Sequence, residues 1–118
     1  MTWPDRLIIR GCSYVWPETF TEDGAAKDMT GLTATFRMRL SSTLVERDTD
    51  DATEFTWTTR SSGTGEWIWS IAQTAALTVG VYEGEIFRTD VGPTERSKMN
   101  EDDRNFAITV KDPATGSF

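Results

Sequence analysis

The sequence predicts an all-β protein, an antiparallel β-sandwich of about seven short strands. Three observations support this prediction. Apolar and polar residues alternate in several short stretches, which is the period of a sheet with one dry and one wet face. Turn-forming residues recur between those stretches, and no stretch has the length or period of a long helix.

A single domain over residues 1–118 suits this length, with 1–6 and 112–118 expected as flexible or docking termini.

Two short strands and a turn are predicted near the N-terminus. The first predicted strand, at residues 7–10, is short and contains β-branched side chains. The second, at residues 13–16, is expected to end at Pro17. Asp-Gly at 23–24 favours a chain reversal.

The clearest predicted strand covers residues 32–40, after a turn at 29–31. Its alternate residues should form the dry face, namely Leu32, Ala34, Phe36, Met38 and Leu40. The residues between them should face water, namely Thr33, Thr35, Arg37 and Arg39. This is strict period-two alternation.

Three further strands are predicted in the middle of the chain, at 44–46, 54–58 and 66–71. Aromatic and aliphatic side chains share the inner face of the last two, namely Phe55, Trp57, Trp67, Trp69 and Ile71. Residues 48–51 and 61–65 have loop compositions. Residues 72–77 are too short for an independent helix, so we expect one helical turn there.

The C-terminal part should add two strands. Residues 81–89 and 105–110 alternate, the second with Phe106, Ile108 and Val110 inward. Residues 90–103 are polar and strongly charged, which favours a long hairpin loop.

Leu77, Gly80 and Tyr82 have the spacing of a tyrosine corner. In immunoglobulin-like sandwiches, a tyrosine near the start of a late strand sends its hydroxyl back to backbone a few residues upstream. A preceding glycine permits backbone angles that a side chain forbids. Leu77 would cap the core beneath. The alternative is that Tyr82 is an ordinary strand aromatic.

These motifs together resemble a known family. The pattern runs from Arg10-Gly11 through DMTGLTATFRMR (28–39) and GEWIWSI (65–71) to TAALTVGVY (74–82). It is similar to the small immunoglobulin-like proteins of tailed bacteriophages, including the N-terminal domain of baseplate upper proteins. The resemblance implies an immunoglobulin-like sandwich and a non-enzymatic role as a virion structural protein. Residues 90–103 depart from the family's pattern, because they are longer and more charged than its short acidic turn.

Composition narrows the classes of function. The net charge of −7 argues against a nucleic-acid or anionic-membrane partner, because both attract basic patches. One cysteine, Cys12, excludes an internal disulfide and suggests a reducing compartment. Residues 1–11 do not read as a signal peptide, and no run is apolar enough to span a bilayer. These features favour synthesis in the cytoplasm, and the resemblance to phage proteins implies a final place in the virion.

No catalytic, cofactor or metal site is predicted. Histidine is absent, which removes the usual base for a nucleophile and the usual zinc ligands. Residues 48–54 begin like a calcium loop, but threonine stands where the loop needs Gly and its bidentate Glu. Glu83 and Glu85 could pair as in a glycosidase, but cross-strand pairing with Arg37 or Arg39 is favoured.

Docking to other proteins is the predicted mechanism, in the tail, baseplate or fibre-attachment region. Candidate contacts are the segment 1–4, the segment 90–103 with Arg96 and Lys98, and the tail from residue 112. Trp3 or Trp16 is a candidate interface residue, since tryptophan is enriched in interfaces, although the core is the alternative for both. We expect other virion proteins as partners and a homo-oligomer within the particle. A capsid decoration protein and a carbohydrate-binding module remain alternatives.

Overall fold

A computed structural model describes residues 5–22, 24–89 and 106–113. These residues form ten strands, one α-helix and a 3-10 turn at Arg60–Ser62. The strands are β1 (Arg6–Ile9), β2 (Tyr14–Thr19), β3 (Thr21–Glu22), β4 (Ala25–Ala26), β5 (Ala34–Leu40), β6 (Thr43–Asp48), β7 (Phe55–Thr59), β8 (Thr64–Trp69), β9 (Gly80–Arg88) and β10 (Phe106–Lys111); the helix is α1 (Ile71–Ala75). None of the described helices is long and apolar enough to cross a bilayer.

Two main sheets make the sandwich, which confirms the predicted all-β class. One has the strand order β1-β10-β9-β5-β6 and the other has the order β2-β8-β7. Strands β3 and β4 form a small ribbon around the predicted Asp-Gly reversal. All pairs are antiparallel except β1 with β10, which joins the two ends of the described chain. This arrangement of two facing sheets is that of an immunoglobulin-like sandwich.

The core lies between the two sheets and is rich in aromatic rings. Phe36 of β5 contacts the rings of Trp67 and Trp69 from the opposite sheet, with centroids 5.4 and 6.3 Å apart. Both tryptophans are buried, as the alternation of 66–71 predicts. Ile8, Ile108 and Val110 complete the side that β1 and β10 supply.

The strand over 32–40 keeps its predicted faces, with one difference. It begins at Ala34, and Phe36 and Met38 are fully buried as expected. Thr35 was expected to face water, but it is buried. Its hydroxyl lies 2.9 Å from the hydroxyl of Thr89 and close to Asp48, so polar neighbours cover it.

Two predicted strand ends were wrong. The second strand does not stop at Pro17 but continues to Thr19, which an edge strand permits because one side of β2 has no ladder to break. The strand over 66–71 ends at Trp69, and Ile71 starts α1 with 61% of its surface exposed. Ser70 causes this change, because it forms a capping box with Gln73 that begins a helix.

Candidate functional site

The corner before β9 has the geometry that its sequence spacing indicated. The Tyr82 hydroxyl donates a 2.7 Å hydrogen bond to the carbonyl of Thr78, four residues upstream. The Tyr82 ring is buried among the core residues. Leu77 is buried beneath it, and Gly80 adopts a φ of 154° beside the side chain of Leu40. The corner therefore fixes where β9 enters the sheet.

A glycine occupies the place of the conserved immunoglobulin cysteine. That cysteine stands two residues after the corner tyrosine and crosses between the sheets as a disulfide. Here the position is Gly84, where an added methyl group would overlap the side chains of Ile108 and Phe106. The one cysteine of the chain, Cys12, is half-buried and lies before β2. Other interactions must therefore hold the two sheets together.

A buried ion pair is one such link, and sequence reasoning missed it. Arg6 of β1 in the larger sheet donates to Glu18 of β2 in the smaller sheet at 2.9 Å. The indole of Trp67 donates to the same carboxylate oxygen at 2.9 Å. The Arg6 guanidinium also lies over the rings of Trp16 and Phe106, 4.9 and 5.1 Å from their centroids. The pair therefore spans the interior at one side of the sandwich.

Burial sets the charge state of Glu18. Desolvation raises the pKa of this carboxyl to about 7, against the opposing effect of Arg6 and the hydrogen bond from Trp67. Glu18 consequently gains and loses its proton near neutral pH. No described nucleophile contacts it, and its neighbours are an arginine and aromatic rings, so the arrangement is a structural link with a titratable member.

Two further arginines tie loops to the sandwich. Arg47 of β6 donates to the carbonyl of Ile68 and to Gln73 of α1, and its guanidinium lies 4.3 Å from the Trp69 ring centroid. Burial lowers the pKa of the Arg47 guanidinium, opposed by Glu54 and Asp51. Arg60 donates to two backbone carbonyls of the segment before β5, those of Met29 and Leu32.

The acidic loop after β6 engages its own backbone. Asp48 Oδ1 accepts from the amide of Asp50, and Asp51 Oδ1 accepts from both the amide and the hydroxyl of Thr53. The hydrogen bond from the Thr53 side chain lowers the pKa of Asp51. Glu54 accepts from the amide of Asp48. Within the described part of the chain, no group of three or more acidic, histidine or cysteine side chains is arranged to hold a metal ion.

The outer face of the larger sheet carries a charged ladder. Arg37 stands directly opposite Glu85, and Arg39 stands directly opposite Glu83, on the adjoining strands β5 and β9. Arg37 Nη1 lies 3.8 Å from Glu85 Oε1, and its Nε donates to Glu46 at 3.0 Å. The sequence-based prediction of cross-strand pairing is confirmed for Arg37 and Glu85.

The candidate interface residues have different placements. Trp16 is half-buried and packs against Phe36 and Trp69, so its contacts are those of the core alternative. Trp3, Arg96 and Lys98 lie outside the described residues. At the expected termini, Arg6 belongs to β1, and Asp112 accepts from Arg10 at 2.7 Å.

Comparison with known proteins supports the fold. No protein-family model and no curated sequence matches the chain. In structure, the chain is similar to the N-terminal domain of phage TP901-1 ORF48, at a TM-score of 0.56 and 15% identity, over 92% of this chain and 99% of that one.

Two solved structures of extracellular domains are less similar to the chain. One is the extracellular domain of the voltage-gated sodium channel β4 subunit, at a TM-score of 0.42 and 15% identity over 92% of this chain and 83% of that one. Another is the extracellular portion of mouse CD200RLa, at a TM-score of 0.37 and 9% identity, over 96% of this chain and 57% of that one. The strand order and the similarity to the phage domain show that the chain is an immunoglobulin-like all-β sandwich, as its sequence motifs indicated.

Proposed function

We propose that the chain is a non-enzymatic structural component of a phage virion, located in the tail, baseplate or fibre-attachment region. The observation that carries this proposal is the match in fold to the N-terminal domain of a phage protein over almost the full length of both chains. The resemblance of residues 28–39 and 74–82 to phage immunoglobulin-like proteins agrees with this assignment.

The proposed mechanism is docking to neighbouring virion proteins and to further copies of the chain. The buried ion pair and the arginine hydrogen bonds tie the two sheets and their connecting segments together, and repeated copies in a symmetric particle would multiply weak contacts. The sequence also lacks histidine and has one cysteine, so the usual triads and zinc sites cannot be assembled. This supports a role in assembly over one in catalysis.

Localisation on purified particles tests the proposal. Virions would be banded in a density gradient, and mass spectrometry and immunogold labelling would detect the chain. We expect it in the particle fraction at a fixed ratio to the tail proteins, with gold at the tail. A non-structural protein of the same genome serves as the control that should stay in the lysate.

Each other outcome of that experiment has a clear meaning. Labelling of the head would replace the tail assignment with the capsid decoration alternative. Recovery of the chain from the lysate alone would overturn the virion role. The carbohydrate-binding alternative would require glycans to quench tryptophan fluorescence, although Trp67 and Trp69 are buried and Trp16 and Trp57 are half-buried in the core.

A further inference from the structure

The outer face of the larger sheet separates its charges by strand. On β5 the outward side chains include Arg37 and Arg39, and on the adjacent β9 they include Glu83 and Glu85. The register places each arginine directly across from a glutamate. Positive charge therefore runs along one strand and negative charge along its neighbour.

One row across this face has a symmetric chemical order. From β6 to β10 it reads Leu44, Arg39, Glu83 and Ala107, because Leu44 pairs with Arg39, Arg39 with Glu83, and Glu83 with Ala107. The row begins and ends with an apolar residue and has a positive and a negative charge between them. When a second copy of the row is rotated by 180° so that its two ends exchange places, each charged residue of one copy faces the opposite charge of the other. Each apolar end then faces an apolar end.

We propose that this face binds a second copy of the chain. The two copies are related by a two-fold axis in the interface between them, which runs parallel to β5 and β9 and passes midway between these two strands. Rotation about that axis lays β9 of the partner over β5 and β5 of the partner over β9. Each arginine of one copy then faces a glutamate of the other, both at the Arg39–Glu83 level and at the Arg37–Glu85 level. Such an isologous contact closes at two copies.

The apolar ends of the row fit the same operation. Leu44 has 45% of its surface exposed. A shallow hollow on the other side of the face is bordered by Val81, Glu83 and Ala107. Rotation carries Leu44 of one copy over Ala107 of the other, so each leucine enters a hollow.

The size of the face sets the strength of the contact. Because the axis lies between β5 and β9, only β6, β5, β9 and β10 overlap with the other copy. Four strands spaced about 4.8 Å apart and about six residues long give a face of roughly 400 Å² per copy. The total buried area of about 800 Å² is below that of standard specific interfaces, so we expect weak, reversible association that the local concentration in a particle reinforces. This inference deepens the proposed docking role, and it names the face that would serve the expected homo-oligomer.

Charge reversal tests the pairing directly. Sedimentation equilibrium of the full chain over a range of concentrations should show a monomer–dimer equilibrium. Arg39→Glu places a carboxylate against the Glu83 carboxylate of the other copy, and Glu83→Arg places a guanidinium against the Arg39 guanidinium. We expect each change to weaken dimerisation by about tenfold or more, because like charges brought together across an interface repel each other.

Mixing the two variants is the decisive arm. A copy with Arg39→Glu has two negative residues in the row, and a copy with Glu83→Arg has two positive ones, so the pair is complementary at both positions. We expect the mixture to form a heterodimer at concentrations at which each variant alone is mostly monomeric. The double variant Arg39→Glu/Glu83→Arg should dimerise by itself.

Matched controls separate the face from general effects. Glu66→Arg makes the same change in net charge as Glu83→Arg, but on the outer face of the smaller sheet. It should leave dimerisation unchanged. Leu44→Ala should weaken dimerisation, whereas Val15→Ala, which trims an exposed apolar residue of β2, should not. Circular dichroism of each variant verifies folding.

A wild-type chain that stays monomeric at every concentration overturns the inference, as does a dimer that Arg39→Glu and Glu83→Arg leave intact. Neither result touches the virion role, which depends on particle localisation. Conversely, absence from particles would leave a measured dimer in place.

Discussion

Glu18 is a buried carboxylate that links the two sheets, and its titration should appear in the stability of the protein. Burial raises its pKa from 4.5 to about 7 in the folded state. Between these values the folded chain binds more protons than the unfolded chain, so stability falls as pH rises. We expect the contribution of Glu18 to be fully present below about pH 4.5 and to be lost through about pH 7, a fall of about 3 kcal/mol.

The variant Glu18→Gln isolates this effect. The amide oxygen can still accept from Trp67 and Arg6, but the side chain no longer titrates. The difference in unfolding free energy between wild type and Glu18→Gln, measured in urea, should therefore shift in favour of the variant from about pH 5 to about pH 8. The control Glu66→Gln keeps Glu18 and should keep the fall. A constant difference between wild type and Glu18→Gln would contradict the assignment.

The corner hydrogen bond of Tyr82 makes a second prediction for a single residue. Tyr82→Phe keeps the buried ring but leaves the carbonyl of Thr78 without its donor. We expect the free energy of unfolding to fall by about 1 kcal/mol. The comparison variant Tyr82→Ala also removes the ring and should cost about 3–5 kcal/mol. Equal stability of Tyr82→Phe and wild type in denaturant titrations would show that the hydroxyl has no part in the corner.

Sequence patterns predicted the apolar residues of the core far better than its charged ones. Trp67, Trp69 and Phe36 follow from alternation, because a strand with one dry face has to place them inward. Arg6 and Glu18 also occupy inward positions. From sequence alone, a charged residue at such a position is predicted to face solvent, because its buried partner is not known. The two are twelve residues apart on different sheets, and no local pattern connects them.

Among the elements, α1 shows how a cap decides where a strand ends. Trp67, Trp69 and Ile71 have the same period, so alternation alone continues the strand through Ile71. Ser70 and Gln73 satisfy each other's backbone amides and begin a helix instead, with hydrogen bonds of 3.2 and 2.7 Å. Gln73 also accepts from Arg47, so the cap is joined to β6.

Removing the cap should therefore cost stability. Ser70→Ala deletes the acceptor for the amide of Gln73, and we expect a loss of about 1 kcal/mol in the free energy of unfolding. The matched control is Ser62→Ala in the exposed 3-10 turn, where the turn has no side-chain cap and little change is expected. Equal losses at both positions, measured in urea, would mean that the cap is not what stabilises this end of β8.

At the scale of the whole molecule, the pairing of β1 with β10 joins the first and last strands of the described residues. It joins residues 6–9 to residues 108–111 in parallel. The sequence could not indicate this direction, because side chains alternate between the two faces of a sheet in parallel and antiparallel strands alike. The class of fold was predictable from the alternation and the corner. The sequence also indicated that Glu83 and Glu85 face Arg37 or Arg39, but it did not indicate which arginine faces which glutamate, or that Leu44 lies beside Arg39.

A pair of truncations tests how far the sandwich depends on β1. Removing residues 1–10 takes Ile8 out of the core, leaves Glu18 without Arg6 and exposes the edge of β10. We expect loss of cooperative unfolding, because the core loses Ile8 and the buried Glu18 carboxyl loses its arginine donor, and together these changes cost several kcal/mol against a total stability of about 5–15 kcal/mol. Removing residues 1–4 keeps all of these contacts, and it keeps the hydrogen bond from the Ala107 amide to Asp5. Tryptophan fluorescence in a urea titration measures both. A cooperative transition at the wild-type midpoint after removal of residues 1–10 would show that β1 is an accessory strand and that the other four strands of its sheet suffice.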